Sequence, residues 1–209
     1  MAAGESKRFG SPKQLHLING QPLIRHTVER VIDCAIDDVF VVLGHAADAV
    51  SAVLTDLPVR FVRNPDPSAG LGSSIAFGAS AVDAASPPFD AVIIVLGDQP
   101  TIPRHIIDAL CASFRAQPAD VIVLEYTGGV RAPPALFSRN VFAEMRSLSG
   151  ETGARELMAQ RMVRVLQAGI TVPVDIDSLA DVEALRAQRR RPGTGDRGQG
   201  EKPGPRTEQ

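Results

Sequence analysis

Residues 1–13, Met1-Ala2-Ala3-Gly4-Glu5-Ser6-Lys7-Arg8-Phe9-Gly10-Ser11-Pro12-Lys13, place three cations on a short loop punctuated by glycine. That combination suits phosphate. Gly4 and Gly10 let the backbone approach a ligand without a Cβ in the way, so main-chain N–H groups can point at phosphate oxygens. Lys7, Arg8 and Lys13 supply countercharge, Arg8 through a planar fork and the lysines as point charges. The same residues also suit a solvated basic turn, and the loop alone does not choose between the two. A second chemically useful residue is Asp98, in Gly97-Asp98-Gln99-Pro100, directly behind the apolar run Ala91-Val92-Ile93-Ile94-Val95-Leu96. A turn or cap role before Pro100 is its plainer reading.

The elements that must position these residues are legible in the apolar pattern. After the first loop come the short apolar stretch Leu15–Ile18, an Asn19-Gly20 turn, and a helix opened by Pro22 with Leu23, Ile24, Thr27, Val28, Val31 and Ile32 at helical spacing. Residues 38–44 read as a strand buried on both faces, followed by a helix over about Ala46–Leu54 and a strand at Val59–Val62. Asn64-Pro65-Asp66-Pro67-Ser68-Ala69-Gly70-Leu71-Gly72-Ser73-Ser74 is a second glycine and serine loop, opening a helix to about Val82. The strongest strand, 91–96, precedes a helix from Pro103 to about Phe114, then a strand at Val121–Leu124. Gly128-Gly129 starts an expected irregular region through Pro134. Helices follow over about 140–148 and 152–161, strands over 163–166 and 171–174, and Ser178 caps a last helix.

Apolar strands alternating with helices specify a single-domain α/β fold, a mostly parallel Rossmann-like sheet with helices on both faces, and ligands in such sheets sit at the carboxyl ends of the strands. The domain is expected to span residues 1–188. From Arg189 to Gln209 no apolar residue occurs, so a disordered tail is expected, with Arg189-Arg190-Arg191 solvated. Only Met1, Ala2 and Ala3 precede Gly4, whereas a phosphate loop in an α/β sheet normally follows a strand. The sheet either lacks its first strand or begins upstream of Met1, and the second reading is favoured because no later segment is free to take that place.

Composition narrows the functional classes. With 209 residues, 44% of them apolar, the chain can bury one substantial core. A formal charge of −2 and a pI near 6.1 give no global attraction for nucleic acid or membranes, so an anion must be held by local geometry. Cys34 and Cys111 show neither metal-type nor CxxC spacing and read as buried thiols in a reducing compartment. No run approaches a membrane span and no signal-peptide core is present, so a cytoplasmic protein is expected.

Taken in order, Ala2-Ala3-Gly4-x-Ser6-x-Arg8-x-Gly10-x-x-Lys13, Gly20-Gln21-Pro22-Leu23, Gly70-Leu71-Gly72-Ser73-Ser74, Gly97-Asp98-Gln99-Pro100, Gly150-Glu151-Thr152-Gly153-Ala154-Arg155 and Asp175-Ile176-Asp177-Ser178 resemble the motifs of nucleotidyltransferases. The chain is similar to the branch containing the molybdenum cofactor cytidylyltransferases, with a MobA-like NTP transferase domain, over about residues 1–186. The resemblance implies a nucleotide-diphospho-sugar transferase type of fold, here lacking its first strand. Two departures stand out. The usual Gly-Asp-x-Gly-Ala-Arg carries Glu151, and the usual Gly-(His or Asn)-Pro appears as Ala132-Pro133-Pro134, where Pro133 removes a polar side chain and an N–H donor. The second departure bears on the acceptor more than on the chemistry.

The reaction so implied is transfer of CMP from CTP to the phosphate of molybdopterin or molybdenum cofactor, with pyrophosphate leaving. The attacking phosphate oxygen is already anionic, so the site needs a divalent cation and fixed positive charge rather than a general base. By resemblance Asp98 is the principal Mg²⁺ (or Mn²⁺) ligand, Asp177 the second, and Asp175 next in line. Arg8 and Lys13 would hold the triphosphate and, with Asp98, form the catalytic set. Ala3, Gly4, Ser6, Gly70 and Ser73 would contact the nucleotide, and Arg155 an acceptor phosphate. Asn64 serves as well to hold its own turn. Expected partners are CTP or another NTP, a phosphorylated pterin and a molybdenum hydroxylase or its maturation factor, with no nucleic acid and no membrane.

Two other readings fit the same residues and two fail. A guanylyltransferase of the same fold exchanges only the base. A non-catalytic nucleotide-binding accessory protein for a molybdenum hydroxylase fits the altered acceptor segment. A dinucleotide dehydrogenase fails, because the first loop is not G-x-G-x-x-G, and a Walker loop fails because Gly10 is not followed by Lys and Ser or Thr.

Overall fold

The computed structural model describes residues 1–3, 11–151 and 153–190. After a 3-10 turn at Lys13–Leu15, β1 (Leu17–Ile18) and β2 (Gln21–Pro22) form a small antiparallel hairpin. Its turn residues Asn19 and Gly20 lie at φ 52° and 85°, the left-handed pair for which Asn-Gly is best suited. Pro22 leads directly into α1 (Leu23–Ile32), which buries Leu23, Ile24, Thr27 and Val28 on one face. β3 (Phe40–Leu43), α2 (Ala47–Ala52) and β4 (Arg60–Arg63) form a crossover unit in which Phe40 pairs Arg60 and Leu43 pairs Arg63 in parallel.

A 3-10 turn at Pro67–Ala69 precedes α3 (Leu71–Asp83), followed by β5 (Ala91–Ile94), α4 (Arg104–Ala116) and β6 (Val121–Tyr126). The chain ends with β7 (Val130–Ser138), α5 (Phe142–Met145), α6 (Arg155–Gln160), β8 (Val163–Gln167) and α7 (Leu179–Arg190). The larger sheet has the order β5-β7-β6-β8, with β7 antiparallel to both neighbours and β8 parallel to β6. Helices cover both faces, and β6 shows why. Its Val121 and Val123 pack with Ile75 and Ala79 of α3 and with Phe142, while Ile122, Leu124 and Tyr126 pack with Ile106 and Leu110 of α4. Alternate side chains of one strand therefore serve two separate cores.

Residues 130–138 correct the expected irregular region: they form a strand of nine residues. Gly128 and Gly129, at φ 85° and 76°, turn the chain back along β6. The pairing steps from Val123 opposite Ala135 to Leu124 opposite Ala132, so Pro133 and Pro134 fall in a bulge. A proline without an N–H breaks a ladder, but at a bulge none is required of it. Tyr126 secures the bulge by donating its hydroxyl to the Pro133 carbonyl at 2.9 Å. Residues 171–174 form no strand, and Pro173 in their middle offers no donor for a ladder.

Ser178 caps α7 as expected. Its backbone N–H and hydroxyl both donate to the Asp181 carboxylate, and the Asp181 N–H returns to Ser178 Oγ at 3.3 Å, a reciprocal capping box. The helix runs through Arg190, past the boundary expected at 188, and residues 191–209, with most of the expected tail, lie outside the described residues. Among the described residues no helix is long and apolar enough to cross a membrane.

Candidate active site

Asp98 stands just past the end of β5, where three different parts of the chain hold its surroundings. Thr27 of α1 donates its hydroxyl to the Gly97 carbonyl at 3.0 Å, and the Gly97 N–H donates to the Met1 carbonyl at 2.8 Å. A Cβ on Gly97 would lie 2.8 Å from that carbonyl oxygen, so the close approach requires glycine. On the other side the Ile176 N–H donates to the Asp98 carbonyl at 3.0 Å, docking the segment that carries Asp175 and Asp177. Gln99, 1% exposed, reinforces the docking by donating Nε2–H to Asp175 at 2.8 Å. Three carboxylates from two distant segments thus meet at one end of the sheet.

Lys13 sits among them. Its ammonium donates to Asp98 Oδ2 at 2.7 Å and to Asp177 Oδ1 at 2.8 Å, with side-chain exposures of 15% for the lysine, 22% for Asp98 and 56% for Asp177. Burial works against the ammonium, but the hydrogen bonds to Asp177 and Asp98 outweigh it and hold its pKa above the ordinary lysine value. Burial raises the Asp175 carboxyl pKa, partly offset by the Gln99 hydrogen bond and reinforced by the charges of Asp98 and Asp177. This is a cluster of negative charge organised around a cation.

The donor set also suits a divalent metal. Asp98 Oδ1 is buried without a hydrogen-bond partner, an arrangement that costs stability unless something fills the valence. Asp98 and Asp177 are hard oxygen donors already close enough to share one cation. Among the described residues no group of three or more His, Cys, Asp or Glu is arranged as a metal cage. Mg²⁺ and Mn²⁺ do not require one, since Mg²⁺ is commonly held by one or two carboxylates together with substrate phosphates.

The remaining expected residues divide. Ala3 is buried with its backbone against Gly44, where a Cβ would lie 2.4 Å from the Ala3 carbonyl oxygen. Gly4, Ser6 and Arg8 lie outside the described residues. Gly70, at φ 93°, and Gly72 form a docking place for the loop carrying Gly150: the Gly72 N–H donates to the Gly150 carbonyl at 2.8 Å and the Gly150 N–H to the Ala69 carbonyl at 2.9 Å. Ser73 accepts from Asn64 Nδ2–H at 2.9 Å and donates to the Gly70 carbonyl at 2.8 Å, so its hydroxyl is engaged within its own loop. Asn64 holds its turn, accepting the Asp66 N–H at 2.9 Å. Arg155 begins α6 and is exposed.

Sequence reasoning missed Gln99, Thr27 and Gln14 as supports. Gln14 is buried and donates to the Ala2 carbonyl at 3.1 Å, tying the two ends of the first loop. The available signal was a polar side chain inside or beside an otherwise apolar pattern, as with Thr27 on the buried face of α1.

A family model described as MobA-like NTP transferase domain matches residues 1–165. Nicotine blue oxidoreductase of Paenarthrobacter nicotinovorans is 31% identical over 169 residues, 77% of this chain and 80% of that protein. Bifunctional protein GlmU of Syntrophomonas wolfei is 32% identical over 126 residues, 59% of this chain, which spans only 27% of that relative's length. Among solved structures, a homologue of Mycobacterium tuberculosis Rv0371c from Mycobacterium sp. strain JC1 superposes with a TM-score of 0.79 at 31% identity, covering 90% of this chain and 92% of the other. The manganese complex of M. tuberculosis Rv0371c superposes with a TM-score of 0.73 at 27% identity, covering 88% and 94%.

Proposed function

We propose, because this chain belongs to the family of MobA-like NTP transferase domains, that it transfers CMP from CTP to the phosphate of molybdopterin or molybdenum cofactor in the cytoplasm, releasing pyrophosphate. The observation that carries this reading is the convergence of Asp98 and Asp177 on one cation at the end of β5. Choice of cytidine and of a pterin acceptor rests on the order of the sequence motifs.

An oxygen of the acceptor phosphate attacks the α-phosphorus of the nucleotide. One O–P bond forms, the α–β anhydride bond breaks, and its electron pair leaves on pyrophosphate. A divalent cation bound by Asp98 and Asp177 would supply Lewis-acid stabilisation of that charge, and the manganese complex of the mycobacterial relative supports Mn²⁺ beside Mg²⁺. Lys13, released from its two carboxylates, neutralises the triphosphate together with Arg8. Gln99 and the Ile176 N–H keep the two acidic segments aligned. In this reading Ala3, Gly4, Ser6 and Gly70 would contact the nucleotide, with Ser73 shaping the Gly70 loop, and Arg155 would meet the acceptor phosphate. A molybdenum hydroxylase or its maturation factor is the fitting recipient of the product.

Pyrophosphate release with molybdopterin and Mg²⁺ or Mn²⁺, measured with CTP and GTP in parallel, tests the reading. Release with CTP is expected. Release with GTP alone would make the protein a guanylyltransferase, and CTP binding without release would make it an accessory protein.

A further inference from the structure

One face of the larger sheet changes character toward the end that carries Asp98. On the side covered by α3, β6 presents Val121, Val123 and Glu125 in turn. Val121 stands between Val163 of β8 and Phe137 of β7, and Val123 between Val165 and Ala135; all six pack in one apolar core. The next row, Gln167, Glu125 and Arg131, is polar throughout and open to solvent, with the Arg131 side chain 57% exposed. β7, which carries Arg131, is also the neighbour of β5, and the chain runs only four residues from Ile94 to Asp98. The row therefore lies at the same end of the sheet as the carboxylates.

This row is held on paired strands rather than on a loop. Beside it the Ala168 N–H donates to the Glu125 carbonyl at 2.9 Å, and the Thr127 N–H donates to the Ile170 carbonyl at 3.0 Å, so β6 and β8 stay joined past the row. On the other flank the Tyr126 hydroxyl fixes the Pro133 carbonyl, two residues from Arg131. Strand positions of this kind hold polar groups in a defined geometry.

Within the row, Gln167 Nε2–H donates to Glu125 Oε1 at 2.9 Å and Arg131 Nε–H to Glu125 Oε2 at 3.1 Å. The Gln167 bond first, then the Arg131 bond, holds the Glu125 carboxyl below its usual pKa, so it is an anion at neutral pH. Each carboxylate oxygen keeps a further lone pair. Among the described residues, Arg131 Nη1 and Nη2 and Gln167 Oε1 have no hydrogen-bond partner. The groups then follow one another as an amide acceptor, a carboxylate and a donor fork. A planar ring edge that reads amino group, ring N–H and carbonyl is their complement. The carboxylate accepts one amino N–H and the ring N–H side by side, Gln167 Oε1 accepts the second amino N–H, and Arg131 donates to the carbonyl. Pterins and guanine share that edge.

We propose that Gln167, Glu125 and Arg131 form the subsite that reads the amino and oxo edge of the pterin acceptor. The choice of pterin over guanine rests on the transferase reading. Seated by this edge, the ring keeps its far side, which bears the phosphate-carrying substituent, available to the end of β5.

The test titrates the full chain with hydroxymethylpterin, followed by its fluorescence, and with hydroxymethyllumazine, in which an oxo group replaces the amino group. The unmodified chain is expected to prefer the amino compound by at least about tenfold, and Glu125→Gln to reduce that preference below about threefold. Because the preference is a ratio within one protein, a smaller folded fraction does not mimic its loss. A preference unchanged in Glu125→Gln overturns the proposal. So does absence of pterin binding by the unmodified chain, or displacement of the pterin by an equal concentration of guanosine, which would make the row a nucleobase site. Pyrophosphate release from CTP and molybdopterin by the unmodified chain keeps the two readings apart. Release together with a preference unchanged in Glu125→Gln overturns the subsite alone, whereas a preference lost in Glu125→Gln without any release overturns the transferase reading and leaves a pterin site.

Discussion

Lys13 and Asp98 stand 85 positions apart in the sequence and 2.7 Å apart in the fold. The ammonium bridges Asp98 and Asp177, and in the proposed reaction a divalent cation would compete with it for the same oxygens. Lys13→Met is expected to raise Mn²⁺ affinity without nucleotide by about tenfold, since charge-assisted hydrogen bonds no longer hold the carboxylates. Pyrophosphate release should fall by roughly 100-fold. Titration of the free Mn²⁺ signal by electron paramagnetic resonance checks the first, and steady-state rates the second.

The two carboxylates should not be equivalent. Asp98 has a side chain 22% exposed and a buried oxygen without a hydrogen-bond partner, whereas Asp177 is 56% exposed. Asp98→Asn is expected to lower the rate by about 1000-fold and Asp177→Asn by about tenfold, because water can replace a ligand more readily at an exposed position. Equal losses would show that both act as buried ligands.

The buried Met1 amine gives a pH dependence with a definite sign. Its pKa falls from 8.0 to about 6 on folding. Below about pH 6 both states bind the proton, and between there and pH 8 the unfolded chain holds it while the folded chain does not. Stability therefore rises across that window, by about 2–3 kcal/mol from this group. Urea unfolding at pH 6 and pH 8 should show the gain, and a chain acetylated at its amino terminus should lose it.

Gly70 and Gly20 separate backbone strain from crowding. Both have positive φ, 93° and 85°, but a Cβ on Gly70 would lie 2.5 Å from the Gly150 carbonyl carbon, and one on Gly20 meets nothing within 4 Å. Gly70→Ala should cost about 3 kcal/mol or more and Gly20→Ala about 1 kcal/mol. Thermal unfolding of the two variants makes the comparison, and equal shifts would mean that the Gly150 loop yields freely.

Asn64 is 2% exposed and holds the Ser73 and Ser74 hydroxyls and the Asp66 N–H, each at 2.9 Å. Asn64→Ala strips all three and should destabilise the protein by about 2–3 kcal/mol. Nucleotide affinity in the surviving folded fraction, measured by calorimetry, should fall little if Asn64 serves only the loop.

Much of the architecture is written in local pattern. The Asn19-Gly20 hairpin, the buried face of α1, the two-faced strand β6 and the Ser178–Asp181 cap depend on residues within a few positions of one another, and each follows from backbone geometry or period. The motifs also carried the family resemblance, because they survive as short strings in a fixed order. Residues 130–138 do not read as a strand, since two prolines argue against one unless the pairing with β6 bulges at those very residues. Nor could any local pattern show that Gly70 and Gly72 accommodate Gly150, or that Gln99 reaches Asp175. Local pattern alone located most of the helices and strands, though not β7, and named the residue types available for phosphate chemistry. That Lys13 lies between Asp98 and Asp177 emerges only in three dimensions, because the meeting depends on the order in which distant strands assemble and on the docking of residues 175–177 against the end of β5.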